Sequence, residues 1–205
     1  MANQAKLWDR LAERYVDSPI ADPVAYENKL NLTRPYLTDT MDVLELGCGS
    51  GGTARLHAPL VKSYRAVDLS AKMLDFARAQ GPVPDNLSFE QGDIATLQLA
   101  PESYDAIFTL SLLHLLKDPD GAIRKIHTAL KPGGLFVSST ACLSGNPIFR
   151  FIAITGQTMQ VLPHLNFFKP DMLRAMIRSA GFELVEDWQP AKNKALFLIA
   201  RKKAG

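Results

Sequence analysis

The 205-residue sequence predicts an α/β fold, in which helices cover both faces of a mostly parallel β-sheet. Between residues 42 and 140, short apolar segments of strand length alternate with segments of amphipathic helical spacing. This alternation is typical of strand–helix–strand units with right-handed crossovers. The first apolar segment, residues 43–46, also ends in a run of glycines directly before a helical segment. Such a turn is common at the first strand of a parallel sheet that binds a ligand.

The residues before this alternation predict an N-terminal helical cap over residues 1–40. Apolar side chains at Leu7, Trp8, Leu11 and Tyr15 recur at helical spacing, which predicts a helix over 3–17. Asp22-Pro23 then has the pattern of an N-cap followed by a proline at the first helical position. This second helix is expected to extend to residues 36–37.

The remaining elements follow in order along the chain. Strands are predicted at 43–46, 64–67, 87–90, 104–110 and 135–137, and helices at 54–61, 71–79 and 119–130. Residues 141–169 break the alternation and are rich in apolar side chains, so they are expected to form a lid or acceptor-site insertion. A helix at 170–180 precedes two final strands, 182–185 and 195–200, whose short connection predicts antiparallel neighbours. The expected sheet therefore has seven strands, and the last one is antiparallel.

Composition and charge exclude several classes of protein. The length favours a single domain over residues 1–205, and 47% apolar and 21% charged residues are ordinary globular proportions. A net charge of +2, with basic residues clustered only at 201–203, predicts no nucleic-acid partner. No apolar run reaches the roughly 20 residues that span a bilayer.

The N-terminus and the cysteines bear on location. The first residues lack the apolar stretch of a signal peptide, and a cytoplasmic location is expected. Cys48 and Cys142, the only cysteines, have a spacing that fits no metal motif, so no metal site is predicted.

The glycine run after the first strand is the strongest local signal, and it fits two patterns. Gly47, Gly49 and Gly52 satisfy the G-x-G-x-x-G fingerprint of dinucleotide-binding folds. Gly47, Gly49 and Gly51 satisfy a different pattern, in which an acidic residue, Glu45, precedes G-x-G-x-G. A glycine turn without any ligand is the third interpretation. Glycines at this position allow the backbone to turn tightly and to approach a ligand closely.

Two aspartates follow the next strands. Asp68 ends the second strand, where a carboxylate can accept hydrogen bonds from the vicinal hydroxyls of a ribose. The alternative is an N-cap for the following helix, although Ser70 suits that role. Asp93 follows the third strand and could bind an adenine amino group, with Ile94 packing on the ring. The alternative for this pair is an ordinary turn.

Taken in order, these motifs resemble the class I S-adenosylmethionine-dependent methyltransferases, and most closely the small-molecule branch that includes ubiquinone and menaquinone methyltransferases. The resemblance covers roughly residues 7–200 and rests on the segments 43–51, Asp68, 92–93, 104–108 and 130–135. It implies a Rossmann-like seven-stranded sheet, S-adenosylmethionine as cofactor, S-adenosylhomocysteine as product and a small-molecule acceptor. The dinucleotide pattern predicts neither the aspartate after the third strand nor Lys-Pro-Gly-Gly at 131–134.

The resemblance also assigns roles to residues. Asp68 would bind the ribose, Met73 would pack near it, and Asp93 with Ile94 would hold the adenine. Glu45 would brace the glycine loop, and the exit of the fourth strand would face the sulfonium. The complete set of expected cofactor contacts is Tyr15, Glu45, Gly47, Cys48, Gly49, Gly51, Asp68, Leu69, Met73, Asp93, Ile94, Thr109 and Ser111.

The N-terminal segment and the histidines complete the expected site. Residues 8–16 resemble the F-D-x-x-A-x-x-Y-D stretch of these enzymes, which places Tyr15 over the cofactor, although Val16 replaces the final aspartate. His114 is the candidate base or orienting group, with a packing role as its alternative. His164 is expected at the surface.

Three functions are compatible with the sequence. The first is a small-molecule methyltransferase acting on oxygen, nitrogen or carbon. The second is a non-catalytic module that binds S-adenosylmethionine, and the third is an NAD-type oxidoreductase. A monomer or a homodimer is expected.

Overall fold

The computed structural model describes residues 2–142, 155, 162–192 and 194–203. Six helices and seven strands lie within these residues. The helices are α1 (Ala2–Asp17), α2 (Pro23–Thr33), α3 (Gly52–His57), α4 (Ala71–Ala79), α5 (Pro119–Ala129) and α6 (Pro170–Ser179). The strands are β1 (Asp42–Leu46), β2 (Ser63–Asp68), β3 (Leu87–Gln91), β4 (Tyr104–Leu110), β5 (Leu130–Thr140), β6 (Phe182–Trp188) and β7 (Leu196–Lys202).

The seven strands form one sheet in the order β3-β2-β1-β4-β5-β7-β6. Strands β1 to β5 pair with one another in parallel. Strand β7 is antiparallel both to β5 and to β6. The predicted seven-stranded sheet and its antiparallel last strand are therefore confirmed.

Apolar side chains on both faces of the sheet make two cores. On one face, Leu44, Ile107 and Phe136 pack with buried residues of α5 and α6. On the other face, Val43 and Phe108 pack with the region of α3 and the turn after it. The central strands are buried on both sides, as expected for a parallel sheet enclosed by helices.

Three helices begin at residues that cap them with a side chain. Asp22, Ser70 and Asp118 each accept a hydrogen bond from the backbone N–H three residues further on, at 3.0, 3.1 and 2.8 Å. Each cap satisfies one of the N–H groups that a helix start leaves without a partner. Asp22 with Pro23 confirms the predicted start of α2.

Two helices end earlier than the sequence predicts. Helix α2 stops at Thr33 and α3 stops at His57, and each continues into a single 3-10 turn, at Arg34–Tyr36 and Ala58–Leu60. Both turns contain a proline, Pro35 or Pro59, which has no N–H to continue the α-helical pattern.

Strand β5 is longer than predicted. It begins at Leu130, which pairs with Tyr104, and regular pairing resumes at Leu135 opposite Ala106. The intervening Lys-Pro-Gly-Gly segment, which precedes the strand predicted at 135–137, therefore forms an irregularity within the observed strand. Lys131 Nζ anchors it by an ion pair with Asp105 at 2.7 Å.

Most of the apolar insertion cannot be compared with its prediction, because residues 143–154 and 156–161 lie outside the described part of the chain. Its end is described, and there Phe168 is buried in the core beside α6. Among the residues that the structure describes, no helix is both long and apolar enough to cross a membrane.

The packing at Gly51 gives a stability prediction. Its φ is +75°, and a Cβ there would lie 2.6 Å from the Phe89 ring. Gly133 has the same φ, +75°, but a Cβ there would have no neighbour within 4 Å. We expect Gly133→Ala to lower the free energy of unfolding by about 1–2 kcal/mol, the cost of left-handed backbone. Gly51→Ala should lower the free energy of unfolding by roughly 1–3 kcal/mol more, because its Cβ would also overpack against the Phe89 ring.

Urea unfolding of both variants measures this difference. Equal losses for Gly51→Ala and Gly133→Ala would show that the contact with Phe89 relaxes without cost.

Candidate cofactor and acceptor site

The carboxyl ends of β1 to β4 meet at one edge of the sheet, where the strand order reverses. From β1 the chain builds outwards through β2 and β3, and then returns to place β4 on the other side of β1. Ligands of open α/β sheets bind at such a switch point. The loops that leave this edge, 47–51, 68–70, 92–94 and 111–114, contain most of the residues predicted to bind the cofactor.

The glycine turn is held against the end of β2. The N–H groups of Gly47 and Cys48 both donate to the carbonyl of Val67, at 2.8 and 3.1 Å. Gly49 has a φ of +55°, and a Cβ on it would meet only the Tyr15 ring, at 3.8 Å. The backbone at Gly49 is therefore open to close approach by a ligand under Tyr15.

The structure distinguishes the two glycine patterns. In the dinucleotide fingerprint the third glycine is needed for close packing of the helix against the strand. That requirement falls on Gly51, where a Cβ would clash with Phe89 at 2.6 Å and reach Ala77 at 3.0 Å. A Cβ on Gly52 would have no neighbour within 4 Å. The packing therefore requires glycine at position 51 and not at 52, which agrees with the pattern of an acidic residue followed by G-x-G-x-G.

Asp68 connects the glycine turn to the start of α4. Its Oδ2 accepts a hydrogen bond from Gly49 N at 2.8 Å, and its Oδ1 accepts one from Ser70 N at 2.9 Å. The N-cap of α4 is Ser70, so the alternative role for Asp68 as that cap is wrong.

The surroundings of Asp68 suit a ribose. Burial raises the pKa of its carboxyl above the ordinary value, and within the described residues no lysine or arginine forms an ion pair with it. A carboxylate accepts about four hydrogen bonds, so room remains beside the backbone donors Gly49, Ser70 and Leu69. Ribose hydroxyls can supply such a further donor.

A cavity of about 370 Å³ lies between the loops that follow β3 and β4, and Leu69, the residue after Asp68, is part of its lining. Leu69, Asp93, Ile94 and Leu112 line it, as does His164, which was expected at the surface. Asp93 Oδ1 also accepts a hydrogen bond from Ala95 N at 2.9 Å, so Asp93 shapes its turn as well. Apolar side chains make up most of the lining, and Asp93, Lys117, Asp118 and Lys125 are its charged members. A mostly apolar cavity with a few polar groups has the character required by an adenine ring.

Glu45 lies below the glycine turn and is 2% exposed. The hydroxyl of Tyr64 donates a hydrogen bond to Glu45 Oε2 at 3.0 Å. Burial raises the pKa of Glu45 to about 8, with a smaller opposing effect from Tyr64. Glu45 is therefore mostly protonated at neutral pH and can donate a hydrogen bond as well as accept one.

Three predicted residues, Thr109, Ser111 and His114, lie at the end of β4 and just after it, next in the chain to Leu112 of the cavity. The buried hydroxyl of Thr109 and Nδ1 of His114 have no hydrogen-bond partner within the described residues. Ser111 adopts a φ of +60° and donates from its backbone N–H to Ser139 O. Burial lowers the pKa of His114 to about 4, so its imidazole is neutral at pH 7.

Tyr15, Cys48 and Met73 complete the expected set. Tyr15 is 54% exposed and lies over Gly49. Cys48 is partly buried, and its thiol has a raised pKa because of desolvation. Met73 is buried in the first turn of α4.

Sequence reasoning missed Asp9, which joins α1 to this site. Its Oδ1 accepts a hydrogen bond from Ser70 Oγ at 2.6 Å. The signal was present, since Asp9 matches the aspartate of the F-D-x-x-A-x-x-Y-D stretch.

Other motif residues lie away from the site. Asp105 and Lys131 pair at the amino end of the strands, where Asp105 Oδ2 also accepts a hydrogen bond from Asp42 N at 2.8 Å. Asp105 and Lys131, although they belong to the family motifs, therefore stabilise the sheet and do not contact the site.

The raised pKa of Glu45 predicts a pH-dependent stability. The folded state holds the proton up to about pH 8, whereas the unfolded state releases it near 4.5. Protonated Glu45 therefore contributes its full stability below pH 4.5, and that contribution is lost as pH rises to 8. Relative to Glu45→Gln, the wild-type free energy of unfolding should fall by about 1.4 kcal/mol per pH unit across this window.

Denaturant unfolding between pH 5 and pH 9 tests this. Glu90→Gln is the matched control, because Arg65 lowers the pKa of Glu90 and keeps it ionised throughout. A constant difference between wild type and Glu45→Gln would contradict the assignment.

Comparison with known proteins identifies the family. A family model described as a methyltransferase domain matches residues 44–138. The ubiquinone biosynthesis O-methyltransferase of Xanthomonas euvesicatoria is 31% identical over 169 residues, covering 75% of this chain and 69% of that protein. Its namesake from Bordetella avium is 31% identical over 151 residues, or 69% of this chain. This chain spans 61% of the Bordetella protein.

A solved structure agrees in fold. The S-adenosylmethionine-dependent methyltransferase from Mesorhizobium loti superposes with a TM-score of 0.67 at 24% identity, covering 84% of this chain and 97% of that one. With the glycine turn, Asp68 and the cavity that Leu69 lines, these matches show that the chain belongs to the class I S-adenosylmethionine-dependent methyltransferases, whose cofactor is S-adenosylmethionine.

Proposed function

We propose that this protein transfers the methyl group of S-adenosylmethionine to an oxygen atom of a small, partly apolar molecule. The observation that carries the proposal is the partly buried carboxylate of Asp68, which lacks an ion-pair partner among the described residues and directly precedes Leu69, a residue that lines a cavity of about 370 Å³. The choice of oxygen is supported by the relatives, which are named as O-methyltransferases.

The residues of the site act by holding and aligning. When bound, S-adenosylmethionine supplies a methyl carbon that is already strongly electrophilic. Asp68 accepts hydrogen bonds from the ribose hydroxyls, and Leu69, Ile94 and Asp93 enclose the adenine. Alignment of the two reacting groups, with exclusion of water, then accounts for most of the rate.

His114 acts on the acceptor side as an orienting group in this proposal. Efficient general-base catalysis at pH 7 calls for a pKa near 7. Burial holds the pKa of His114 at about 4, so its neutral ring is a weak base. Nδ1 is buried and has no partner among the described residues, and in this proposal it accepts a hydrogen bond from the acceptor.

Transfer of radiolabelled methyl groups tests the proposal. The protein is incubated with labelled S-adenosylmethionine and a fractionated metabolite extract, and label is followed into small molecules. Label in an ether or ester product supports the proposal. Cofactor binding without any transfer would favour a non-catalytic binding module, and label in nucleic acid would overturn the choice of acceptor class.

The ribose assignment predicts the effect of Asp68→Ala. Isothermal titration with S-adenosylhomocysteine should show affinity reduced by ~1–3 kcal/mol, because the ribose hydroxyls lose a buried acceptor. Asp105→Ala is the matched control, since it removes a carboxylate that is paired at the opposite edge of the sheet. Its affinity should equal that of the wild type. Unchanged affinity in Asp68→Ala would remove Asp68 from the ribose site.

A further inference from the structure

Helix α1 is attached to the cofactor edge through one side chain. Asp9 Oδ1 accepts hydrogen bonds from Ser70 Oγ at 2.6 Å and from Lys72 N at 3.2 Å. Among the residues described, these are the only side-chain hydrogen bonds that join α1 to another element. A carboxylate at the N-terminus of α4 is stabilised by the helix dipole and by free N–H groups.

The attachment continues directly into the ribose site. Ser70, which is fully buried, donates from its N–H to Asp68 Oδ1, and Asp68 Oδ2 accepts from Gly49 N. Tyr15, which follows Asp9 by six residues in α1, lies over Gly49. The successive contacts therefore begin and end on α1, at Asp9 and at Tyr15. Between them lie Ser70, Asp68 and Gly49.

This closed path has a consequence for Tyr15. The Tyr15 side chain is 54% exposed, so its own contacts hold it weakly. Together with the buried side chains of Leu7 and Ala12, the two hydrogen bonds of Asp9 hold α1 on α4 and so set the place at which Tyr15 meets the glycine turn. The other polar link, an ion pair of 3.6 Å between Glu13 and Lys72, is solvent-exposed and contributes little.

We propose that Asp9 is a positioning residue for cofactor binding, which holds α1 on α4 so that Tyr15 covers the cofactor at Gly49. The inference rests on the proposed function, because it takes S-adenosylmethionine as the ligand of this edge. Asp9 acts through hydrogen-bond acceptance by Oδ1, so an amide oxygen at the same place performs the same role.

Affinity for S-adenosylhomocysteine, measured by isothermal titration on the full chain, is the first test. Asp9→Ala should bind about tenfold more weakly, the effect of losing hydrogen bonds to a charged acceptor. Asp9→Asn, which keeps the acceptor, should restore affinity to within about threefold of wild type. Glu13→Ala removes the exposed link to the same helix and should bind as the wild type does.

A double-mutant cycle with Tyr15→Ala separates positioning from a general loss of structure. If Asp9 acts through Tyr15, Asp9→Ala should cost little further affinity once Tyr15 is removed. Fluorescence of Trp8, in a Trp188→Phe background, gives a second readout. Acrylamide should quench Trp8 more strongly in Asp9→Ala than in Glu13→Ala, and S-adenosylhomocysteine should reduce the quenching.

The outcomes are distinguishable. Failure of the wild type to bind S-adenosylhomocysteine would overturn the proposed function itself. Normal binding by wild type and by folded Asp9→Ala alike would overturn only the role of Asp9. The role of Asp9 would also be overturned if Asp9→Asn lost as much affinity as Asp9→Ala. The same conclusion would follow if the fold-losses in affinity of Asp9→Ala and Tyr15→Ala multiplied in the double variant.

Discussion

The carboxylate of Asp68 is the interaction on which the candidate site depends. One oxygen accepts the N–H of Gly49 and the other accepts the N–H of Ser70, at 2.8 and 2.9 Å. A single side chain therefore sets the distance between the glycine turn and the start of α4, and it does so in a partly desolvated position. The same two oxygens have room for further donors, which is why the bridge and the ribose site coincide.

The two edges of the sheet have different tasks. At the carboxyl edge, Thr109 near the end of β4 and His114 after it have buried polar atoms without partners among the described residues, and that edge is where a ligand fits. At the amino edge, Asp42, Asp105 and Lys131 pair with one another. Motifs that occur together along the sequence thus divide between binding and bracing, because parallel strands place all their starts on one side and all their ends on the other.

Burial also decides the charge of the site at neutral pH. Desolvation keeps Glu45 mostly protonated and His114 neutral, since each lies away from water without an ionic partner among the described residues. Asp68 retains three backbone donors, Ser70, Gly49 and Leu69, that favour its ionised form. With Glu45 and His114 uncharged, the site acts on the acceptor by placement more than by proton transfer.

The sequence alone showed which motif follows which strand: the glycine turn, Asp68 and Asp93 come after the first, second and third strands. It also showed helix caps such as Asp22-Pro23, because a cap depends only on neighbouring residues. Local patterns could not decide between Gly51 and Gly52 as the third glycine, because the answer lies in a contact with Phe89 of β3. Nor could they find the link between Asp9 and Ser70, which are far apart in the chain, or the low pKa of His114. These properties arise from packing between distant segments and from desolvation, so only the tertiary structure decided them.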